Sequence, residues 1–188
     1  MMAWIETIEA NDADGKLKKI YEDLLKSRGK IANIHKIHSL NPESLKNHMD
    51  LYMNIMFSSS CLKREEREMI AVVVSSANNC KYCINHHGEA LNYYWKDYHR
   101  VKKLAKNFKD KSLQLNKKEI IMLDYAYNLT KNPEKIKKEY VKNLKEIGFS
   151  DENILNINLI ISYFNFVNRI VMGLGVEFSK EEVQGYKY

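Results

Sequence analysis

The sequence predicts an all-α fold, a single-domain helical bundle of about seven to nine helices over residues 1–188, and three observations carry that prediction. Turn formers are scarce: seven glycines and two prolines serve all 188 residues, whereas a sandwich or barrel of short strands needs turn signals throughout. Apolar side chains recur at spacings of three and four along most of the chain, the period of a helix face. The residues that resemble a strand, Val72 to Val74, have no partner strand elsewhere. At 45% hydrophobic and 29% charged the composition is globular, and at this length folding buries roughly 70% of the unfolded surface without disulfides or a structural metal.

The first helix starts after Asp12 or Asp14, carries Leu17, Ile20, Tyr21, Leu24 and Leu25, and stops before Gly29. A short apolar stretch, Ile31 to Leu40, runs to Asn41-Pro42, where Asn caps and Pro opens a helix bearing Leu45, Met49, Tyr52, Met53 and Met56. Ser58 to Ser60 end it. From Leu62 to Ala77, the helix formers Arg64 to Glu68 lead straight into Met69 to Val74, so this run is helical. A helix apolar on all sides belongs in the middle of the fold. Asn78-Asn79 closes it in the left-handed conformation, and a new helix runs from near Cys80 to about Trp95. Downstream, Asn116 and Glu119 form a capping box for a helix with Ile120, Leu123, Ala126 and Tyr127. Asn132-Pro133 opens another, closed by Gly148, and Ser150 caps a long helix that ends near Gly173 and Gly175.

The longest unbroken apolar run, Met69 to Val74, is far short of the about 20 residues that cross a bilayer. No transmembrane segment is expected, and the N-terminus lacks the apolar stretch of a secretory signal, which predicts a cytoplasmic protein. The net charge is +6 and the pI about 9.0, but the lysines between Lys102 and Lys145 alternate with Asp110, Glu119, Glu134, Glu139 and Glu146 as on solvated helix faces. No recognition motif accompanies the charge, so neither nucleic acid nor membrane is expected as a partner.

Chemistry is concentrated in Cys80-Lys81-Tyr82-Cys83-Ile84-Asn85-His86-His87. At about 100° per residue His87 falls between the two sulfurs in angle, whereas His86 lies off to one side. Residues three apart near a helix start can bring their Cα atoms within the about 4.4–6.8 Å a disulfide requires. Both sulfurs lie where the positive end of the helix dipole favours thiolate, and the more C-terminal one also has the imidazole, which points to Cys83 as nucleophile and Cys80 as resolving thiol. Two plainer readings stand beside this one. The cysteines can be small buried hydrophobes, or ligands to zinc with His87 and a fourth group such as His35, His38 or His99. Cys61 stands alone. Glu68 shares its helix face with Ala71, Val72, Ser75 and Asn79, so its carboxylate points toward the turn that carries Cys80, where it can orient His87.

Glu68, Cys80, Cys83 and His87 at these spacings resemble the signature of the alkylhydroperoxidase D-like family within the carboxymuconolactone decarboxylase superfamily. The segments EREMIAVVVSSANNCKYCINHHGEAL and GFSDENILNINLIISYFNFVNRIVMGLGVE are similar to helices of its peroxidase-related branch, and the likeness covers nearly the whole chain. The resemblance implies an all-α homo-oligomer with antioxidant thiol peroxidase activity on hydrogen peroxide or organic hydroperoxides, regenerated by an external dithiol or thiol, with no cofactor and no metal. It implies Cys83 as peroxidatic cysteine, Cys80 as resolving cysteine, and Glu68 and His87 as proton relay. Tyr82 stands where well-studied members have a second histidine, and its hydroxyl is a candidate auxiliary donor. The alternative is a non-enzymatic redox-sensing or metal-binding helical domain using the same cysteine pair.

Overall fold

The structure is a computed structural model in which residues 2–184 are described. Ten α-helices follow one another among them: α1 (Gly15–Arg28), α2 (Asn33–Lys36), α3 (Pro42–Phe57), α4 (Arg64–Ala77), α5 (Lys81–Trp95), α6 (Tyr98–Lys106), α7 (Lys117–Lys131), α8 (Lys138–Glu146), α9 (Asp151–Gly173) and α10 (Lys180–Val183). No strand occurs among the described residues.

The predicted local signals are made in atoms. Asn41 Oδ1 accepts from Ser44 N at 3.0 Å and starts α3. Asn116 and Glu119 close a reciprocal capping box on α7, and Ser150 with Asn153 does the same on α9. Gly29, at φ 83°, ends α1 in the left-handed region where a side chain is costly.

Helix α4 is the axis of the fold. Met69 to Val74 are at most 2% exposed, because α3, α5, α6, α7 and α9 all pack against it. A helix enclosed on every side needs no polar face, which is why six consecutive apolar residues are stable there. A smaller satellite core, with Leu17, Tyr21, Leu24, Leu45 and Met49, lies under α1.

Three elements differ from expectation. Asn132-Pro133 opens only a 3₁₀ turn, Pro133–Lys135, and α8 starts afresh at Lys138. Helices α2, α6 and α10 lie outside the predicted series; α2 and α10 are four residues each and are fixed by tertiary contacts, whereas α6 is amphipathic, with Val101 and Leu104 buried on one face. The third concerns membranes: α9 spans 23 residues at a hydropathy of 1.3, long and apolar enough by length and composition to cross one. Half of it is buried in the fold, as in the core helix of a bundle.

Candidate functional site

The turn between α4 and α5 sets the position of the cysteines. Asn79, at φ 59°, takes the left-handed conformation, its N–H bonds to Ser76 O at 3.0 Å, and Cys80 N bonds to Ser75 O at 2.9 Å. These two bonds form a Schellman motif, so Cys80 both closes α4 and serves as the N-cap of α5. Cys83 sits in the first turn above it. Both are free thiols and almost fully buried, whereas Cys61, before α4, is exposed.

Glu68, on α4, is 0% exposed. Its Oε2 lies 2.7 Å from His87 Nδ1, and its Oε1 lies 2.5 Å from Arg64 Nη2 one turn earlier on the same helix. Burial pushes the Glu68 carboxyl up, but Arg64 and His87 outweigh it and hold the group below its usual range. A carboxylate can only accept, so His87 Nδ1 carries a proton and Nε2 is left to take or give one. Phe164 meets the imidazole edge to face at 4.4 Å and fixes the ring plane.

His87 and Cys83 share the wall of a cavity of about 70 Å³, with Arg28, Tyr52, Arg64 and Phe164 around it. Room for several waters admits a small reactant. Cys80 does not line this cavity. It opens instead on a separate groove of about 390 Å³ between the start of α5 and residues 171–178.

Burial and the helix start act in opposite directions on the thiols. The Cys80 thiol is held down, first by a hydrogen bond from Cys83, with the N–H groups of Cys83 and Tyr82 contributing at the helix N-terminus. The Cys83 thiol is pushed well up, first by burial and then by its neighbour Cys80, with Asn168 and Ser75 pulling back. At Cys80 the neighbouring thiol and the helix-start N–H groups outweigh burial, whereas at Cys83 burial wins.

Tyr82 and His86 line the same cavity as Cys83 and His87 and form a second constellation there. Their rings stack at 4.1 Å, and both bond Glu182 of α10: Tyr82 Oη donates to Oε1 at 2.8 Å and His86 Nε2 lies 2.6 Å from Oε2. Asn33 N also donates to Oε1, at 2.9 Å. Tyr82 thus fastens the C-terminal segment against the site. This role and those of Arg64, Ser75, Asn168 and Glu182 escape a linear reading, although Arg64 stands four residues before Glu68, the helical salt-bridge spacing. Among the described residues no three His, Cys, Asp or Glu side chains are arranged to hold a metal ion. His35 lines the same cavity, with its Nδ1 accepting from Ala32 N at 3.0 Å, and His38 meets His48 ring to ring at 4.8 Å.

The helix order and packing are the all-α fold of AhpD-like proteins. Residues 42–92 match the model of the carboxymuconolactone decarboxylase family. Among solved structures, an uncharacterized peroxidase-related protein from Silicibacter sp. TM1040 superposes with a TM-score of 0.87 at 28% identity, covering 97% of this chain and 94% of that one. The alkylhydroperoxidase AhpD core of a peroxidase-related protein from Ralstonia eutropha JMP134 also gives 0.87, at 23% identity over 97% and 95%. The debrominase Bmp8 gives 0.77 at 19% identity over 98% of each chain and is similar in fold alone. No curated protein sequence matches this chain.

Proposed function

We propose that the protein is a thiol peroxidase that reduces hydrogen peroxide or a small organic hydroperoxide. The observation that carries the reading is a cavity holding both Cys83 and a histidine oriented by a buried carboxylate, with Cys80 behind it on a groove of its own. In the proposed cycle, His87 draws the proton from Cys83, whose thiolate attacks one peroxide oxygen. The O–O bond breaks, Cys83 becomes a sulfenic acid, and the leaving alkoxide takes a proton from His87. Cys80 then attacks the Cys83 sulfur, forms the disulfide and releases water. An external dithiol attacks Cys80 from the outer groove, is oxidised in turn, and restores both thiols. Peroxide consumption with excess dithiol should vanish in Cys83→Ser, while Cys80→Ser should support a single turnover; unaltered consumption by Cys83→Ser would refute the assignment.

A redox sensor is the second reading, favoured by the burial of both thiols. Stoichiometric oxidation without repeated turnover would select it. The reading includes a cytoplasmic setting, where free thiols persist. It also includes self-association: Leu155, Leu159 and Phe166 form one exposed stripe along α9, 58%, 38% and 50% exposed. Light scattering that shows only a monomer at micromolar concentration would remove that part.

A further inference from the structure

Cys80 is 1% exposed, and the groove it opens on has residues 175–178 as one wall. The chain is pinned where it enters that wall. Trp4 N donates to Leu174 O and Glu177 N to Met2 O, both at 2.9 Å. Gly175, at φ 61°, turns between these bonds, and a Cβ there would overlap the Trp4 ring. Beyond this anchor, residues 178–184 form a strap against the first turns of α5.

Polar bonds hold the strap, not burial. No residue of α10 is buried, and Phe178 is 37% exposed, its ring edge-on to Tyr82 and His86 at 6.1 and 6.3 Å. Glu182 is the bolt. Its Oε1 accepts from Tyr82 Oη at 2.8 Å and from Asn33 N at 2.9 Å, and its Oε2 lies 2.6 Å from His86 Nε2. Tyr82 Oη in turn accepts from Ile34 N at 3.1 Å. One carboxylate therefore ties α10 both to α5 and to the start of α2. Lys30 Nζ donates to Glu181 O at 3.1 Å, to Gln184 O at 2.8 Å and to Glu182 O between them. Asn33 Nδ2 donates to Glu177 O at 2.8 Å. A segment fastened by polar bonds, with little apolar area to expose, opens locally at a fraction of the cost of global unfolding.

We propose that residues 178–184 are a gate over Cys80, latched by Glu182, which opens to admit the external dithiol. This rests on Cys80 being the sulfur that the reductant attacks in the proposed peroxidase. Exchange needs a thiolate in line with the Cys80–Cys83 bond, and a cysteine 1% exposed offers no such approach to a bulky thiol while the strap is shut. With the strap open, one thiolate of the dithiol bonds to Cys80, the bond between the cysteines breaks, and Cys83 leaves as a thiolate that takes up a proton. The second thiol of the dithiol then displaces Cys80, so the dithiol is oxidised to its disulfide and both cysteines are thiols again. The gate reconciles the burial of the pair with its repeated reduction.

The test follows Cys80 without turnover. In a Cys61→Ser, Cys83→Ser background Cys80 is the sole thiol, and its rates with two neutral probes, the small iodoacetamide and the bulkier disulfide dithiodipyridine, are measured at one pH. Adding Glu182→Ala should speed the disulfide by about tenfold or more, the equivalent of one lost hydrogen bond to a charged group, and iodoacetamide by clearly less. Glu181→Ala, at an exposed neighbour on the same helix, should change neither rate. Lys30→Met should act as Glu182→Ala does and decides the matter if that variant does not fold. Unmoved rates in a folded variant, or equal gains for the two probes as a change in thiol acidity would give, overturn the gate. Peroxide consumption by the unaltered chain with excess dithiol is measured in parallel: a size-dependent gain with no consumption sinks the peroxidase reading and leaves the gate over Cys80 standing, whereas consumption without a size-dependent gain does the reverse.

Discussion

Glu68 Oε2 lies 2.7 Å from His87 Nδ1 across the α4–α5 packing, and Glu68 Oε1 lies 2.5 Å from Arg64 Nη2. One fully buried carboxylate is thus shared between a guanidinium that keeps it ionised and an imidazole that it orients. Removing the charge without the shape separates these roles from packing. Glu68→Gln should lower kcat/KM for peroxide by about 10²–10⁴-fold, the usual share of positioned proton transfer. The neutral arm of the pH-rate profile should shift as well, because the tautomer of His87 is no longer enforced. A Glu68→Gln protein with an unchanged profile would show that His87 does not act through Glu68.

Much of this arrangement was legible in the sequence because it is local. Cys80, Cys83 and His87 share one helix, so angular arithmetic orders them, and Glu68 is separated from them by one helix and one turn. What stayed hidden depends on distant segments. Asn168 meets Ser75 across 93 residues, and Glu182 reaches Tyr82 across 100; no periodicity encodes either. Asn165 and Asn168, three apart in an otherwise apolar stretch of α9, were a trace of the first. The misread helix at Pro133 has a simpler cause, since Pro suits the first position of a 3₁₀ turn as well as of an α-helix.

Stability should fall as the medium is acidified through the histidine range. Burial lowers both His35 and His48 from 6.5 to about 3, so the folded state keeps them neutral while the unfolded chain protonates them. Their contribution is whole above 6.5 and is lost progressively as pH falls toward 3, each at up to about 1.4 kcal/mol per pH unit. Glu68 and Glu182 are held below 4.5 in the fold, so their contribution is present above 4.5 and is lost only at lower pH. Urea midpoints should therefore decline between about pH 6.5 and pH 5, with His48→Asn flattening the slope. A flat profile over that interval would contradict the burial of these rings.

The C-terminal segment should loosen when its anchor to α5 is cut. Glu182 is held below its ordinary range because, although burial pushes it up, His86, the Asn33 N–H and Tyr82 outweigh burial. Lys30 Nζ adds a hydrogen bond to Gln184 O at 2.8 Å. Tyr82→Phe removes one hydrogen bond to a charged group and should cost about 1.5–3 kcal/mol of local anchoring. Limited proteolysis should then cut residues 177–184 faster while the α4–α5 core stays resistant. Equal cleavage of Tyr82→Phe and unaltered protein would mean that Tyr82 does not anchor the segment.

Peroxide should join Cys80 to Cys83 within one chain and leave Cys61 reduced. The two motif cysteines sit at the N-cap and in the first turn of α5, both buried and three residues apart. Cys61 stands before the opposite end of α4, and 14 helical residues at about 1.5 Å each put roughly 20 Å between it and Cys80, several times the reach of a disulfide. It is also exposed where Cys80 and Cys83 are buried, so a reagent in solution finds it first while a peroxide in the cavity meets Cys83. Brief alkylation under native conditions should accordingly label Cys61 alone. Peptide mapping after peroxide should show the Cys80–Cys83 crosslink and labelled Cys61 in the same molecules. Cys61 joined to either motif cysteine within a chain, or both motif cysteines still reduced under excess peroxide, would overturn the division of labour among the three thiols.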